Sequence, residues 1–220
     1  MEKQILAEFH CHTSWSKDSR QKPADLVAAC RRKGIGRVVV TDHNSIRGAL
    51  EAQQIDPELV VVGEEIMTTR GEILAAYVTE EIPAGLDPLK VIGLLREQGA
   101  FISVSHPLDR IRSGAWKKQD LDQIIDQVDA LEVFNARCWY PEDNDKTLAY
   151  AREHGVAGTA GSDAHAGFEL GTAMLKILPF GNAGELKKHL TDSEVVGKMS
   201  PHWVHLVSRW ATITKKLFQP

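Results

Sequence analysis

The chain reads as an α/β fold: a mostly parallel sheet closed into a barrel, with helices between the strands. Three observations predict this. Seven short apolar runs alternate along residues 4–160, most of them separated by a segment of helical spacing. Four runs end in metal-ligand residue types: His10-Cys11-His12 after Gln4–Phe9, Asp42-His43 after Arg37–Val40, His106 after Phe101–Val104, and Asp163-Ala164-His165 after Val156–Ala160. Ligands at the ends of the first, second, fifth and seventh strands share one centre only if the sheet closes.

The elements follow in order. Ile5–Phe9 is a short apolar strand. Pro23–Lys33 has helical spacing through Leu26, Val27 and Cys30, with Pro near its start and Gly34 just after its end. Arg37–Thr41 and Leu59–Gly63 are Val-rich strands flanking a short helix, Ile46–Gln54. Thr68–Gly71 reads as a hairpin turn leading into the strand Ile73–Val78, which implies one antiparallel pair in the barrel. Pro88–Gln98 is a helix closed by Gly99. Phe101–Val104, Ala130–Phe134 and Val156–Ala160 are strands, with helices at Asp120–Gln127 and Asn144–His154 between them. Residues 1–180 are expected to form the barrel, and 181–220 a pair of helices packed on it. Asn182–Leu190 is the first of these. His202–Phe218 is the second, amphipathic through Val204, Leu206, Val207, Trp210, Ile213 and Leu217, with Lys215 and Lys216 suiting the helix dipole at its end. Packing on the barrel is the ordinary role for such a stripe, and a partner or membrane surface is the alternative.

Composition narrows the function classes. The 220 residues suffice for one large domain, and 43% hydrophobic with 25% charged residues argues against disorder. A net charge of −4 argues against a dedicated nucleic-acid surface, and with the small size it favours a small molecule over a long nucleic acid. A phosphorylated substrate remains open, because bound cations supply positive field locally. Three cysteines without a CxxC make a disulfide framework improbable and a reducing compartment the default. No signal-peptide pattern and no run of about 18 apolar residues is present, so the expected location is cytoplasmic, without a membrane span. Neither GxGxxG nor GxxxxGK[ST] occurs.

The ligand types carry the chemistry. Residues i and i+2 of a strand face one side, so His10 and His12 can reach one centre, and Asp163 and His165 repeat the pattern. Asp18 can close the site from the following loop. Asp42 and His43 are adjacent and point apart, so His43 is the expected ligand and Asp42 orients a ring or caps a helix. Glu65 is the candidate bridging carboxylate and Glu64 its exclusive alternative; the hairpin returns Glu72 to the same rim. His154, His189, His202 and His205 have no such partners and read as surface or packing residues. Cys11 points away from its histidine neighbours, and Cys138 reads as core filling. Imidazole and carboxylate together suit Zn, Mn or Fe.

HCHTSWSKDS, VVVTDHN, VVGEEI, SVSHP and AGSDAH resemble the motifs of the PHP (polymerase and histidinol phosphatase) family in both order and spacing, over about residues 4–170. The resemblance implies a distorted (β/α)7 barrel with a C-terminal helical extension, and a trinuclear site of two or three divalent ions (Mn, Zn or Fe). The ligands it implies are His10, His12, Asp18, His43, Glu65, His106, Asp163 and His165. Glu72 stands where many relatives place a histidine, which changes the charge and metal preference of the site.

A metal-dependent phosphoesterase is the function this implies. The ions make water acidic enough to attack at neutral pH and neutralise charge on the phosphoryl group. Asp163, His165 and Glu65 are expected to run the chemistry. Arg137, Arg20 and Asn135 are the candidates to bind substrate, a small phosphorylated metabolite or nucleotide. Two alternatives are a metal-dependent hydrolase of another bond and a non-catalytic, metal-stabilised binding module. The oligomeric state is open.

Overall fold

The computed structural model describes residues 3–218. Its elements are β1 (Ile5–Glu8), α1 (Pro23–Arg32), β2 (Arg37–Val40), α2 (Arg47–Ile55), β3 (Val60–Met67), β4 (Glu72–Ala76), α3 (Pro88–Glu97), β5 (Phe101–Val104), α4 (Lys118–Leu121), β6 (Ala130–Asn135), α5 (Pro141–Glu153), β7 (Ala157–Gly161), β8 (Ala173–Ile177), α6 (Ala183–His189), β9 (Glu194–Gly197) and α7 (Val204–Phe218). They form a distorted (β/α)7 barrel. The strands lie in the order β7-β6-β5-β4-β3-β2-β1-β8-β9. The β1 and β7 ends meet through a parallel bridge between Cys11 and Ala164, where His12 N donates to Ala164 O at 2.8 Å. Closure is therefore confined to the C-terminal rim. Lower down, β8 runs antiparallel along β1 and holds the two ends apart.

Local chemistry sets the boundaries. Pro23 and Pro88 each open a helix, where the missing N–H costs nothing. The Asp87 side chain accepts from Leu89 N at 3.0 Å and caps α3. Gly34 and Gly99, both at φ 70°, end α1 and α3 in the left-handed conformation that side chains disfavour. Buried on both faces, the strand β2 is almost all valine.

The core has two layers. Val38, Val40, Val60, Val62, Ile66, Ile73, Ile102, Val104 and Leu131 face outward onto Leu26, Cys30, Val91 and Leu95 of the helices. Ala7, Val39, Val61, Ala76, Phe101 and Ala130 face inward, where Phe9 stacks on Phe180 at 5.9 Å. Alternation carries the inward set up to the rim, so Val61, Gly63 and Glu65 share a face, as do Ala76, Leu74 and Glu72. Parity slips after β1: Ala7 and Phe9 pack inside and Cys11 outside, which leaves both His10 and His12 on the interior side.

Four expectations need correction. The sheet has nine strands rather than seven, and β8 and β9 lie beyond the stretch that alternates strand and helix. The strand β4 is antiparallel to β5 as well as β3, and β8 to both β1 and β9, giving four antiparallel pairs among the described residues instead of one; a hairpin-reversed strand between two co-directional neighbours opposes both. The helix over 120–127 is only the turn α4 followed by a 3₁₀ turn, Ile125–Gln127. Residues 181–220 contain β9 besides their two helices, and of the expected α7 stripe Val204 is buried and Val207 half-buried, while Leu206, Trp210, Ile213 and Leu217 face solvent.

Candidate metal centre

The C-terminal rim gathers nine residues on interior or loop positions. Three groups each bring ligand atoms within 4.8 Å of one another: His12, His43 and His165; His10, His12 and Asp163; His43, Glu65 and Glu72. His10 Nε2 lies 3.1 Å from His12 Nε2, 3.3 Å from Glu65 Oε2 and 3.6 Å from Asp163 Oδ1. Asp18 Oδ2 lies 3.2 Å from His165 Nε2 and 3.4 Å from His43 Nε2. His106 Nε2 joins Glu65 Oε1 at 3.2 Å and Glu72 Oε2 at 3.5 Å. Glu72 thus returns to the rim beside Glu65, paired with Met67 across the hairpin. Glu64 points to the other face, where it accepts from Ile82 N at 3.0 Å.

The backbone is unusual where it presents these groups. Among the described residues four non-glycines have positive φ, and two of them are His106 (25°) and Asp163 (52°). Each such residue costs about 1–3 kcal/mol, which the surrounding barrel must offset.

Surrounding hydrogen bonds fix the imidazoles. His10 Nδ1 lies 2.9 Å from Glu132 Oε1, an acceptor, so in the neutral ring Nδ1 carries the proton and Nε2 a lone pair. His12 Nδ1 lies 3.2 Å from Ser16 Oγ, whose own proton goes to Asp42 Oδ1 at 2.6 Å. Asp42 also accepts from Thr13 N and Thr13 Oγ1, each at 2.6 Å, so it orients the His12 ring through Ser16 and caps no helix. Two lone pairs therefore face each other across 3.1 Å with carboxylates around them, and Glu65 Oε2 and Asp18 Oδ1 have no hydrogen-bond partner. A divalent cation satisfies such a donor set, and a proton can satisfy only one member of it.

Electrostatics point the same way. Burial alone would push His10 down, but Glu65, Glu132 and Asp163 hold it well above its ordinary value. His12 is lowered to about 3 by burial and by the neighbouring His165 and His43. Asp163 resists its burial because Arg112 and His10 hold it well below the carboxylate range. The cluster concentrates negative charge and shares out what positive charge it has.

Of the substrate candidates, Arg137 and Asn135 touch ligands of this centre and Arg20 lies outside it. Arg137 is buried; it donates from Nη1 to Glu169 Oε2 at 3.1 Å and from Nη2 to Ser208 Oγ at 2.8 Å, with Nη1 2.9 Å from His165 Nδ1. Asn135 donates to Glu132 Oε2 at 3.0 Å and reaches Asp163 Oδ2 at 3.4 Å. Arg20 stacks over Trp210, outside the cluster. Sequence reasoning missed Glu132 and Arg112. Glu132 takes His106 N at 2.8 Å besides His10 and Asn135, and an acid inside the apolar run Ala130–Phe134 was the signal for it. Arg112 sits in a loop, donates to Asp163 Oδ2 and has no periodic signal.

Glu132→Ala leaves His10 Nδ1 and His106 N without an acceptor and takes one of two from Asn135 Nδ2. Metal affinity, measured by titration into chelator-stripped protein, should fall roughly 10–100-fold, with Glu132→Gln recovering part of the loss. Unchanged affinity would remove Glu132 from the site's support.

Comparison with known proteins follows this geometry. The PHP domain profile matches residues 8–82, and the PHP-associated profile matches residues 141–194. An uncharacterized protein of Methanocaldococcus jannaschii is 38% identical over 146 residues, which cover 60% of this chain and 82% of that one. A two-domain protein from Bacteroides vulgatus, containing a predicted PHP-like metal-dependent phosphoesterase, superposes with a TM-score of 0.71 at 15% identity, covering 96% of this chain and 70% of that one. The lesion-specific endonuclease EndoQ of Pyrococcus furiosus superposes with a TM-score of 0.56 at 15% identity, covering 87% of this chain and 57% of that one. At such identities the two superpositions speak for the fold.

Proposed function

Because the chain belongs to the PHP-domain family, we propose that it is a metal-dependent phosphoesterase acting on a small phosphorylated substrate. The convergence of His10, His12, Asp18, His43, Glu65, Glu72, His106, Asp163 and His165 on one rim, with imidazole lone pairs turned inward, carries this reading. These residues would hold two or three divalent ions of the Mn, Zn or Fe type. Bound there, such ions supply the acidity that makes water a nucleophile at neutral pH and the charge that steadies the phosphoryl oxygens.

The chain's own groups do the rest. Glu132 keeps the proton on His10 Nδ1, and the Ser16–Asp42 pair keeps it on His12 Nδ1. Arg112 balances Asp163 and extends to a cavity of about 460 Å³ lined by Asp109, Arg137, Trp139, His205, Ser208 and Arg209 among others. A cavity of this size suits a small molecule, and the guanidinium of Arg112 meets a phosphate in a forked geometry. Arg137, already engaged by Glu169 and Ser208, shapes the wall and steadies His165 rather than offering a free fork. No helix among the described residues is long and apolar enough to cross a membrane.

The test is hydrolysis of p-nitrophenyl phosphate, followed by a panel of phosphorylated metabolites, on purified protein supplied with Mn. Hydrolysis that disappears with a chelator and returns with Mn is expected. Metal uptake without hydrolysis of any phosphoester would favour the binding module, and cleavage of an amide or lactone instead would favour a hydrolase of another bond.

A further inference from the structure

Helix α7 turns its apolar stripe away from the barrel. Val204 and Ala211 are its buried apolar side chains. Half-buried Val207 adjoins them, and polar contacts complete this side: Ser208 receives Arg137, and Lys215 Nζ donates to the backbone oxygens of Ser14 and Ser16, each at 2.6 Å. Leu206 (64% exposed), Trp210 (57%), Ile213 (58%) and Leu217 (70%) face solvent. They fall at i, i+4, i+7 and i+11, one continuous face of the helix. Trp203 stacks on Phe168 at 5.4 Å, and both are more than half exposed, so the patch continues onto the loop after β7. Contiguous apolar surface of this kind marks a binding face.

Its charge selects the occupant. The stretch Val195–Pro220 contains no Asp or Glu but carries Lys198, Arg209, Lys215 and Lys216, in a chain whose net charge is −4. Arg209 and Lys216 flank the stripe and are exposed, and Arg20 lies over the Trp210 ring at 5.1 Å. A second copy placed face to face would set these cations against their own equivalents, with no acid on either helix to pair them. An anionic surface meets the exposed Arg209 and Lys216 beside the stripe. Tryptophans beside a cation-rimmed apolar stripe are also what the boundary between lipid headgroups and acyl chains selects.

We propose that the outward face of α7 docks the protein on an anionic lipid surface, the helix lying in the plane of the headgroups with Leu206, Trp210, Ile213 and Leu217 inserted. The helix does not span the bilayer. Docking is independent of the phosphoesterase reading, because no residue of the stripe belongs to the metal centre.

The experiment uses the full chain with vesicles of phosphatidylcholine alone and of phosphatidylcholine with phosphatidylglycerol. Co-sedimentation and the blue shift of tryptophan emission read the binding. The wild type should bind the anionic vesicles, less so at high salt, and bind neutral vesicles weakly. The Leu206→Asp/Ile213→Asp variant should bind roughly tenfold or more weakly, with the wild-type circular dichroism spectrum and melting curve. An Arg209→Glu/Lys216→Glu variant keeps the stripe and should lose the preference for anionic vesicles, again by roughly tenfold or more. Wild type that ignores anionic vesicles, or a stripe variant that binds them as well as wild type, would overturn the proposal. So would a wild-type dimer in sedimentation equilibrium that Ile213→Asp dissociates without any vesicle binding, which assigns the face to a second copy.

Discussion

Asp163→Asn should reduce kcat for phosphomonoester hydrolysis by about 10³-fold or more while KM changes little, because the loss falls on charge that develops in the transition state. The side chain is isosteric, so the cause is lost charge and lone pairs rather than shape. Asp163 Oδ1 lies 3.1 Å from His12 Nε2 and 3.6 Å from His10 Nε2, and Oδ2 receives Arg112. An amide at this position offers a weaker ligand atom and presents an N–H₂ where a lone pair is needed. The fold should persist, since the apolar layers above and below the rim are untouched. Steady-state kinetics with saturating Mn, alongside circular dichroism, checks both statements. Wild-type turnover in the variant would place the reaction elsewhere.

The second large effect comes from a methyl group. A Cβ on Gly161 would stand 2.3 Å from His10 Cβ, 2.8 Å from Glu132 Oε1 and 3.1 Å from His10 N. Two of these atoms are fixed by the β1 backbone, so the neighbour cannot swing aside. Gly161→Ala should destabilise the protein by about 1–3 kcal/mol, the usual cost of overpacking. It should also separate His10 from Glu132 and weaken metal binding roughly 10–100-fold, as loss of an orienting partner does. Calorimetric melting and metal titration read the two effects separately. A variant with wild-type affinity would show that the His10–Glu132 contact is not what positions the ring.

Much of this architecture was legible from side-chain period alone. Alternation made Glu65 and Glu64 exclusive, and the Thr68–Gly71 turn returned the chain so that Glu72 stands near Glu65, in the register Glu65↔Leu74 and Met67↔Glu72. The strands β8 and β9 escaped because they lie outside the strand–helix alternation; β9 is four exposed residues whose pairing is decided by its neighbour β8. Period also fails for loops, which is why Arg112 was invisible. Glu132 was within reach, since an acid in an apolar strand must find partners or a cation. For α7 the pattern announced an amphipathic helix correctly but could not say which medium its apolar side faces, because the two answers share one periodicity.

The inward-turned imidazoles and carboxylates of the rim are proposed to hold the ions that drive phosphoester hydrolysis. Anomalous scattering at the Mn edge from crystals of the Mn-loaded protein tests this most directly. The account predicts two or three anomalous peaks, one among His10, His12 and Asp163 and another among His43, Glu65 and Glu72. An Mn-loaded crystal with the rim residues in place and no anomalous peak between them would contradict it.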